Sequence, residues 1–426
     1  MDFLFIRNSM IRDIILQQKK EKEMMLSRVY IEREKIPFMQ KFLDTDLIKI
    51  ITGPRRAGKS SFAFLSLKNR NFGYLNFDDE NLLKFSGDEI IKGIFEVYKK
   101  PDIILFDEIQ NFADWEIFVN KLQRRGFNLI LTGSNAKLLS RELSTLLTGR
   151  HIPIEILPFS FREFLKSKNF EIEEGLPQTK GEVLNYLNEF IKNGGFPEVI
   201  VKSVEAKTYL DTLADSILLK DVVKRYKVKL LQKIYELFLY MASNFTNEYT
   251  FTRLKNILNF NSTRTIENYL RYLEEAYLIF SLNRFSYKIK EQIKTPRKVY
   301  LVDNGFIQAK SFMLSQDYGR LMGNLFFQEL LKKGLKVNEN VFYYKTRNQK
   351  EVDFVLKEGI EIKELIQVVY DIADYNVKKR EMGALIEASE ELRCDNLTII
   401  TWDTKGEENI KNRKIKVIPL WQYLTA

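Results

Sequence analysis

The sequence predicts an α/β chain of several domains, the first built on a parallel β-sheet flanked by helices. Three observations carry that expectation. Apolar runs at 47–52, 73–77, 102–106, 128–132 and 152–156 are separated by stretches long enough for crossover helices. The first run breaks at Gly53 and restarts on a helix-forming stretch, while the third ends in two acids, Asp107 and Glu108. At 426 residues the chain exceeds one ordinary core, so two or three domains are expected.

The break after the first run carries the most chemistry. Residues 47–61, LIKIITGPRRAGKSS, set Gly53, Gly58, Lys59 and Ser60 in the G-x-x-x-x-G-K-[ST] spacing of a phosphate-binding loop. A loop that wraps a triphosphate must turn its backbone N–H groups inward, and glycines at both ends permit the curvature. The cradle is therefore assigned to Gly53, Pro54, Arg55, Arg56, Ala57, Gly58, Lys59, Ser60 and Ser61. Lys59 would reach the β- and γ-phosphates, the Ser60 hydroxyl would ligate Mg²⁺, and the helix N-terminus adds a favourable dipole. ATP and Mg²⁺ are the cofactors this pattern calls for.

The third run delivers Asp107 to the C-terminal edge of the sheet, where it would hold Mg²⁺ through water. Glu108, one residue on, would orient and deprotonate the attacking water. The fourth run ends in Thr132-Gly133-Ser134-Asn135. Ser134 and Asn135 are candidates to contact the γ-phosphate or the lytic water, with a loop-capping pair as the alternative. Arg150, in LLTGR just before the fifth run, could stabilise charge on the transferring phosphoryl group, in cis or from a neighbouring subunit of a homo-oligomer. Arg55 and Arg56 could do the same.

Composition sets the outer bounds. Hydrophobic residues make up 45% and charged residues 29%, the balance of a soluble globular protein. The formal net charge of +10 invites an acidic partner such as nucleic acid, although lysine spread evenly over the surface gives the same total. One cysteine, Cys394, excludes an internal disulfide framework, and one histidine, His151, leaves no His-Cys metal cluster. No apolar run approaches the roughly 20 residues of a membrane span, and the first ten residues lack the flanks of a signal peptide. A cytoplasmic location is the expectation.

Taken in order, residues 9–36 show helical periodicity, with Ile11, Ile14, Ile15 and Leu16 on one side. Residues 1–36 therefore read as a leader packed on the core at 37–157, with a flexible or oligomerising arm as the competing possibility. Residues 158–229 read as a helical lid and linker, interrupted by the breaker cluster Gly194-Gly195-Phe196-Pro197. Between 230 and 305 three helices precede a basic ribbon, the pattern of a winged helix-turn-helix. Ser262 would cap the third helix, and Ile266, Leu270, Leu273 and Tyr277 would form its buried stripe. Arg264, Asn268 and Arg271 would face outward. The ribbon would carry Lys288, Lys290, Lys294, Arg297 and Lys298, so double-stranded DNA is the partner this surface suits, with a protein-docking module as the alternative.

Several blocks together carry a resemblance. GPRRAGKSS, YLNFDDE, ILFDEIQN, LILTGSN, LLTGR and PFSFREFL, continuing through GGFPEV, VYLVDNGF and EVDFVL, resemble archaeal and bacterial AAA-type P-loop ATPases with an uncharacterised C-terminal region. The resemblance implies nucleotide hydrolysis. Residues 306–426 resemble a PD-(D/E)xK nuclease-like, restriction-endonuclease-like α/β domain, with Glu329 on its first helix and Asp353 in the metal-binding position. The matching strand offers Gln367-Val368-Val369, an amide and a valine where the pattern needs an acid and a lysine. Glu361 and Lys363 do spell E-x-K, about four residues early. A degenerate, non-cutting domain is expected. The chain is thus an expected ATP-hydrolysing enzyme acting on or with DNA, with a nucleotide-gated DNA-binding switch and an ATP-dependent Mg²⁺-requiring nuclease as alternatives.

Overall fold

A computed structural model describes residues 3–134, 149–172, 177–312 and 317–426. The chain forms two units, 1–157 and 158–426, each with its own core.

The first unit is organised by five short, apolar strands: β1 (Ile48–Thr52), β2 (Phe72–Asn76), β3 (Ile103–Asp107), β4 (Leu129–Gly133) and β5 (His151–Glu155). They lie within a residue of the expected runs. All pair in parallel in the order β2-β3-β4-β1-β5, so the fourth strand lies between the first and the third. β1 to β4 are buried on both faces, which is why they read as continuous rather than alternating apolar runs. Ile50, Phe106 and Leu131 face one apolar layer, and Ile51, Leu105 and Ile130 face the other.

Helices α1 (Phe3–Leu26), α2 (Ile36–Gln40), α3 (Lys59–Ser66), α4 (Gly87–Tyr98) and α5 (Trp115–Arg124) cover the sheet. Ser86 starts α4 with a capping box closed by Glu89. α1 is packed down and not a free arm. Its Ile11 and Ile15 are buried against Gly93 of α4, where a Cβ would come within 2.6 Å of Ile15 Cδ1. Gln18, one turn further on, meets the β2 backbone in both directions: it accepts from Asn76 N at 2.9 Å and donates to Asn76 O at 3.2 Å. A buried amide with both ends satisfied fixes the register of the helix over the sheet edge.

The second unit begins with helices Phe161–Ser167, Pro177–Asn193, Pro197–Lys202 and Ala206–Ile217, the last continuing as a π-helical stretch, Leu218–Lys224. The breaker cluster has a defined role. Gly194 has φ 76°, and a Cβ there would lie 1.7 Å from Asp303 Oδ1. Asp303 accepts from Gly195 N and Gly305 N, both at 2.8 Å, so the GGFP and VYLVDNGF blocks are joined at one carboxylate.

Helix Leu231–Ser243, β6 (Glu248–Tyr249), helices Phe251–Ile257 and Thr263–Glu275, β7 (Ile279–Asn283) and β8 (Arg297–Leu301) follow, with a three-stranded sheet ordered β6-β8-β7. Ser262 caps its helix as expected, and Ile266, Leu270 and Leu273 are buried. The segment between β7 and β8 differs from the expected ribbon. Phe285 N donates to Tyr343 O at 2.7 Å, drawing the chain away from β8, and the tip closes as a short helix, Ile289–Lys294.

The last part packs helices Tyr318–Lys332 and Tyr375–Leu392 on a six-stranded mixed sheet, β9 (Val341–Lys345), β10 (Glu351–Glu358), β11 (Glu361–Val368), β12 (Leu397–Thr401), β13 (Gly406–Ile410) and β14 (Arg413–Pro419), ordered β13-β14-β12-β11-β10-β9. The β13–β14 hairpin and the closing helix Leu420–Thr425 had no counterpart in the sequence reading.

If α1 belongs to the core, Ile15→Ala should cost the first unit about 2–4 kcal/mol in denaturant unfolding, as a fully buried isoleucine does. Met10→Ala, half exposed on the same helix, should change stability by less than about 0.5 kcal/mol.

Candidate functional site

The site is built at the C-terminal ends of β1, β3 and β4. Gly53 ends β1 with φ 145°, and a Cβ there would sit 1.9 Å from Ile156 O, so no other residue fits the turn. The chain then passes through Arg56 and Gly58, both with positive φ, and Gly58 caps α3 in the left-handed conformation. Lys59 opens that helix, 4% exposed, and its ammonium donates to Gly53 O at 3.2 Å and Pro54 O at 3.0 Å. Glu108 Oε1 lies 3.9 Å away. The buried cation thus holds the loop carbonyls, which are replaceable partners for an incoming anion.

Asp107 is the centre of the site. Ser60 Oγ donates to its Oδ1 at 2.9 Å, Thr132 Oγ1 donates to the same oxygen, and Tyr74 OH donates to Oδ2 at 3.3 Å. Burial, with Glu108 beside it, nevertheless raises the Asp107 carboxyl to about 6, against the pull of Thr132, Ser60 and Lys59. A hydroxyl and a desolvated carboxylate side by side suit a hard divalent cation, which prefers oxygen ligands and several waters. Ser60 and Asp107 are residues whose chemistry fits Mg²⁺.

Glu108 has φ 52°, a left-handed conformation rare for a carboxylate residue. Its N–H donates to Thr132 Oγ1 at 3.0 Å, so one threonine fixes both acids. The Glu108 carboxylate accepts from Gln110 Nε2. Ser134 is buried at the end of β4, on the same edge. Asn135 lies outside the described residues.

Arg150 does not join the site in cis. It is exposed, donates to Gln123 Oε1 at 3.3 Å, and its carbonyl accepts from Ile48 N. That places it at the N-terminal end of β1 and β5, a strand length of about 16 Å from the loop. Spacing alone put Arg150 near the motifs; parallel topology puts the residue before a strand at the opposite edge of the sheet. Arg55 and Arg56 remain within the loop itself.

Arg33 was missed. It is buried, with Nη1 donating to Ala57 O at 2.9 Å and Nη2 to Leu157 O at 2.6 Å. Because a peptide unit is planar and trans, fixing the Ala57 carbonyl on one side directs the Gly58 N–H to the other. The only sequence signal was an arginine inside the charged run of residues 32–35 before α2.

The expected DNA-facing residues lie in the second unit. Arg264 and Arg271 are exposed on helix Thr263–Glu275, with Asn268 half-buried and accepting from Arg271 at 3.4 Å. Lys288, Lys290 and Lys294 are exposed around the tip helix, and Arg297 lies over the Phe251 ring. Lys298 is a correction: it is 3% exposed, pairing with Glu351 at 2.6 Å and Asp353 at 3.2 Å. On β8 successive side chains alternate faces, and Lys298 takes the inner one. Lys363 pairs with Glu361 at 2.7 Å on the exposed start of β11, so the E-x-K residues bond each other. Among the described residues no group of three or more His, Cys, Asp or Glu side chains could hold a metal, and no helix is long and apolar enough to cross a membrane.

Comparison with known proteins follows this division. A model described as AAA domain matches residues 45–165, and two domains of unknown function, DUF8612 and DUF4143, match 184–317 and 318–423. The uncharacterized protein MJ1544 of Methanocaldococcus jannaschii is 39% identical over 95% of this chain and 96% of its own. An uncharacterized protein of Haemophilus influenzae is 33% identical over 82% of this chain and 89% of its own. Among solved structures, the Walker-type ATPase PABY2304 of Pyrococcus abyssi aligns with a TM-score of 0.43 and 13% identity, over 66% of this chain and 95% of its own.

Two outcomes are expected. Asp107 has a folded-state pKa above its ordinary 3.8, so the fold favours its neutral form. The nucleotide-free protein should lose stability as pH rises from about 4 through 6, by up to about 2–3 kcal/mol. Asp107→Asn should then melt higher than wild type at pH 8, with the gain vanishing near pH 4. Arg33→Ala should weaken nucleotide binding about tenfold in fluorescent-nucleotide titrations, with partial recovery in Arg33→Lys.

Proposed function

We infer the activity from a premise of kinship: this chain belongs to the family of the uncharacterized protein MJ1544 of Methanocaldococcus jannaschii, and its residues 45–165 match an AAA domain. Both relatives named above are uncharacterized, so the reading rests on the residues. The chain binds ATP with Mg²⁺ and hydrolyses it. The observation that carries this is the Ser60–Asp107–Thr132 arrangement beside Lys59, with Glu108 on the same edge.

In this reading Lys59 gives up the Gly53 and Pro54 carbonyls for the β- and γ-phosphate oxygens. Ser60 and Asp107 would hold Mg²⁺, which would supply charge neutralisation on the phosphates. Glu108 accepts a proton from water as the water oxygen bonds to the γ-phosphorus. The bond from that phosphorus to the β,γ-bridging oxygen breaks, and ADP leaves with that oxygen. Gln110 and Thr132 hold Glu108 in place, one at its carboxylate and one at its backbone. Ser134 would contact the γ-phosphate side, and an arginine from a neighbouring subunit would complete the charge stabilisation.

Action on double-stranded DNA is a second proposal, favoured by the exposed set Arg264, Arg271, Lys288, Lys290 and Lys294. The nuclease reading loses support, because Gln367 stands where an acid is needed and Asp353 is paired with Lys298.

Lys59→Ala should abolish nucleotide binding. Glu108→Gln should bind ATP normally and hydrolyse it about 10²–10³-fold more slowly, leaving ATP trapped; turnover at the wild-type rate would remove Glu108 as the base. If DNA is the partner, ATPase stimulation should disappear between low and moderate salt and fall in an Arg264→Ala, Arg271→Ala double variant.

A further inference from the structure

The segment between β7 and β8 exposes apolar side chains that its lysines do not explain. Tyr287, Ile289 and Ile293 are 68%, 72% and 64% exposed, three large apolar residues within a stretch of seven. Ile289 and Ile293 stand one turn apart on the tip helix, Ile289–Lys294, and so share a face. A single apolar side chain on a surface is ordinary, whereas a group of them marks a surface that meets a partner. Lys288, Lys290 and Lys294 are interleaved with them and exposed, with one acid, Glu291, in their midst.

The tip is held stiff. Phe285 at its base is buried, donates its N–H to Tyr343 O at 2.7 Å, and meets the Tyr287 ring edge-on with the centroids 5.0 Å apart. Ser286 Oγ accepts from Lys288 N at 3.1 Å and donates to Glu291 at 2.7 Å, while Gln292 Nε2 donates to Ser286 O at 2.6 Å. Glu291 is thereby turned back towards Ser286 and Lys288, the latter at 3.4 Å. Side chains presented on a braced tip lose little further freedom when they are inserted into a partner.

We propose that this tip is a wedge for double-stranded DNA: its lysines grip the phosphates while Tyr287, Ile289 and Ile293 enter the minor groove and part a base step. The wedge rests on the DNA reading above and states how that contact is made. Duplex DNA lines a groove with phosphates and yields between base pairs to inserted apolar side chains, so it answers both the charge and the exposed isoleucines. Pyrimidine–purine steps open most readily, and the wedge should favour them. An anionic lipid surface matches the charge as well. Its hold grows with the apolar area buried, however, and a helix of six residues is a small anchor.

The test uses the full chain, with and without ATP, and a duplex carrying 2-aminopurine at its TA steps, whose fluorescence rises when the base unstacks. Wild type should bind and raise the fluorescence. Ile289→Ala combined with Ile293→Ala should bind with an unchanged salt slope and give no rise. Lys288→Ala, Lys290→Ala and Lys294→Ala together should bind more weakly, with the slope of log K against log salt falling by about 1 for each lysine. All five positions lie at the surface, so both variants should melt as wild type does. The wedge is overturned if wild type binds without a rise in fluorescence, if the rise survives loss of both isoleucines, or if the lysine variant keeps the wild-type slope. It is also overturned if vesicles of phosphatidylglycerol and phosphatidylcholine capture wild type and not the isoleucine variant. Failure of wild type to bind the duplex at low salt removes the DNA reading itself, whereas binding without unstacking removes the wedge alone.

Discussion

The first unit depends on how one buried carboxylate is satisfied. Asp107 takes hydroxyl donors from three elements: Ser60 from α3, Thr132 from β4 and Tyr74 from β2. Ser60 sits at the start of a helix, Thr132 near the end of one strand and Tyr74 in the middle of another, so the carboxylate ties the helix after the β1 loop to two other strands of the sheet. Hydroxyl donors lower the cost of burying a charge without cancelling it, and the pKa raised to about 6 records what is left over. A site that still wants positive charge after its hydrogen bonds are made is prepared for a metal ion. Lys59 is its counterpart: a buried cation resting on two carbonyls and wanting an anion.

The strand order makes this possible. With β4 between β1 and β3, Thr132 comes between the phosphate loop and the two acids, and one hydroxyl can bond Asp107 and receive the Glu108 N–H. The left-handed backbone at Glu108 is the local cost of turning its carboxylate back over the edge. Gly53 and Arg33 solve the matching problem on the other side, one by vanishing as a side chain and the other by holding a carbonyl outward.

Much of this was readable from residue order, and the limit is instructive. The five strands and the residues at 53–60 and 107–108 were legible because each signal is local: an apolar run, a glycine spacing, an acid after a buried strand. Ser262 was legible for the same reason, since a cap acts within one turn. Arg33, Lys298 and the placement of Arg150 were not, because each depends on which distant strand lies beside it. Arg150 is close to the fifth run in sequence and at the wrong end of the sheet in space. Lys298 follows a basic run and reads like its neighbours, yet alternation along β8 sends it inward to Asp353, 55 residues away. The early E-x-K shows the converse, a correct pattern whose two members satisfy each other at an exposed hairpin.

The fate of the lysines bears on what the net charge of +10 means. Lys49 is buried on β1 and reaches two carbonyls and Asn128, and burial draws its pKa down to about 8. Lys59 rests on two loop carbonyls, Lys298 neutralises two carboxylates, and Lys310 lies between Asp211 and Asp215. These charges count in the total and contribute little to any surface. A basic composition is therefore a poor argument for nucleic acid by itself. What supports such a partner is narrower: two arginines on the exposed face of one helix and three lysines around one short tip, where phosphate contacts would need them. Within the second unit alone the same residue type thus serves opposite ends, paired inside at Lys298 and Lys310 and exposed at Lys288, Lys290 and Lys294, and burial, rather than sequence abundance, decides which.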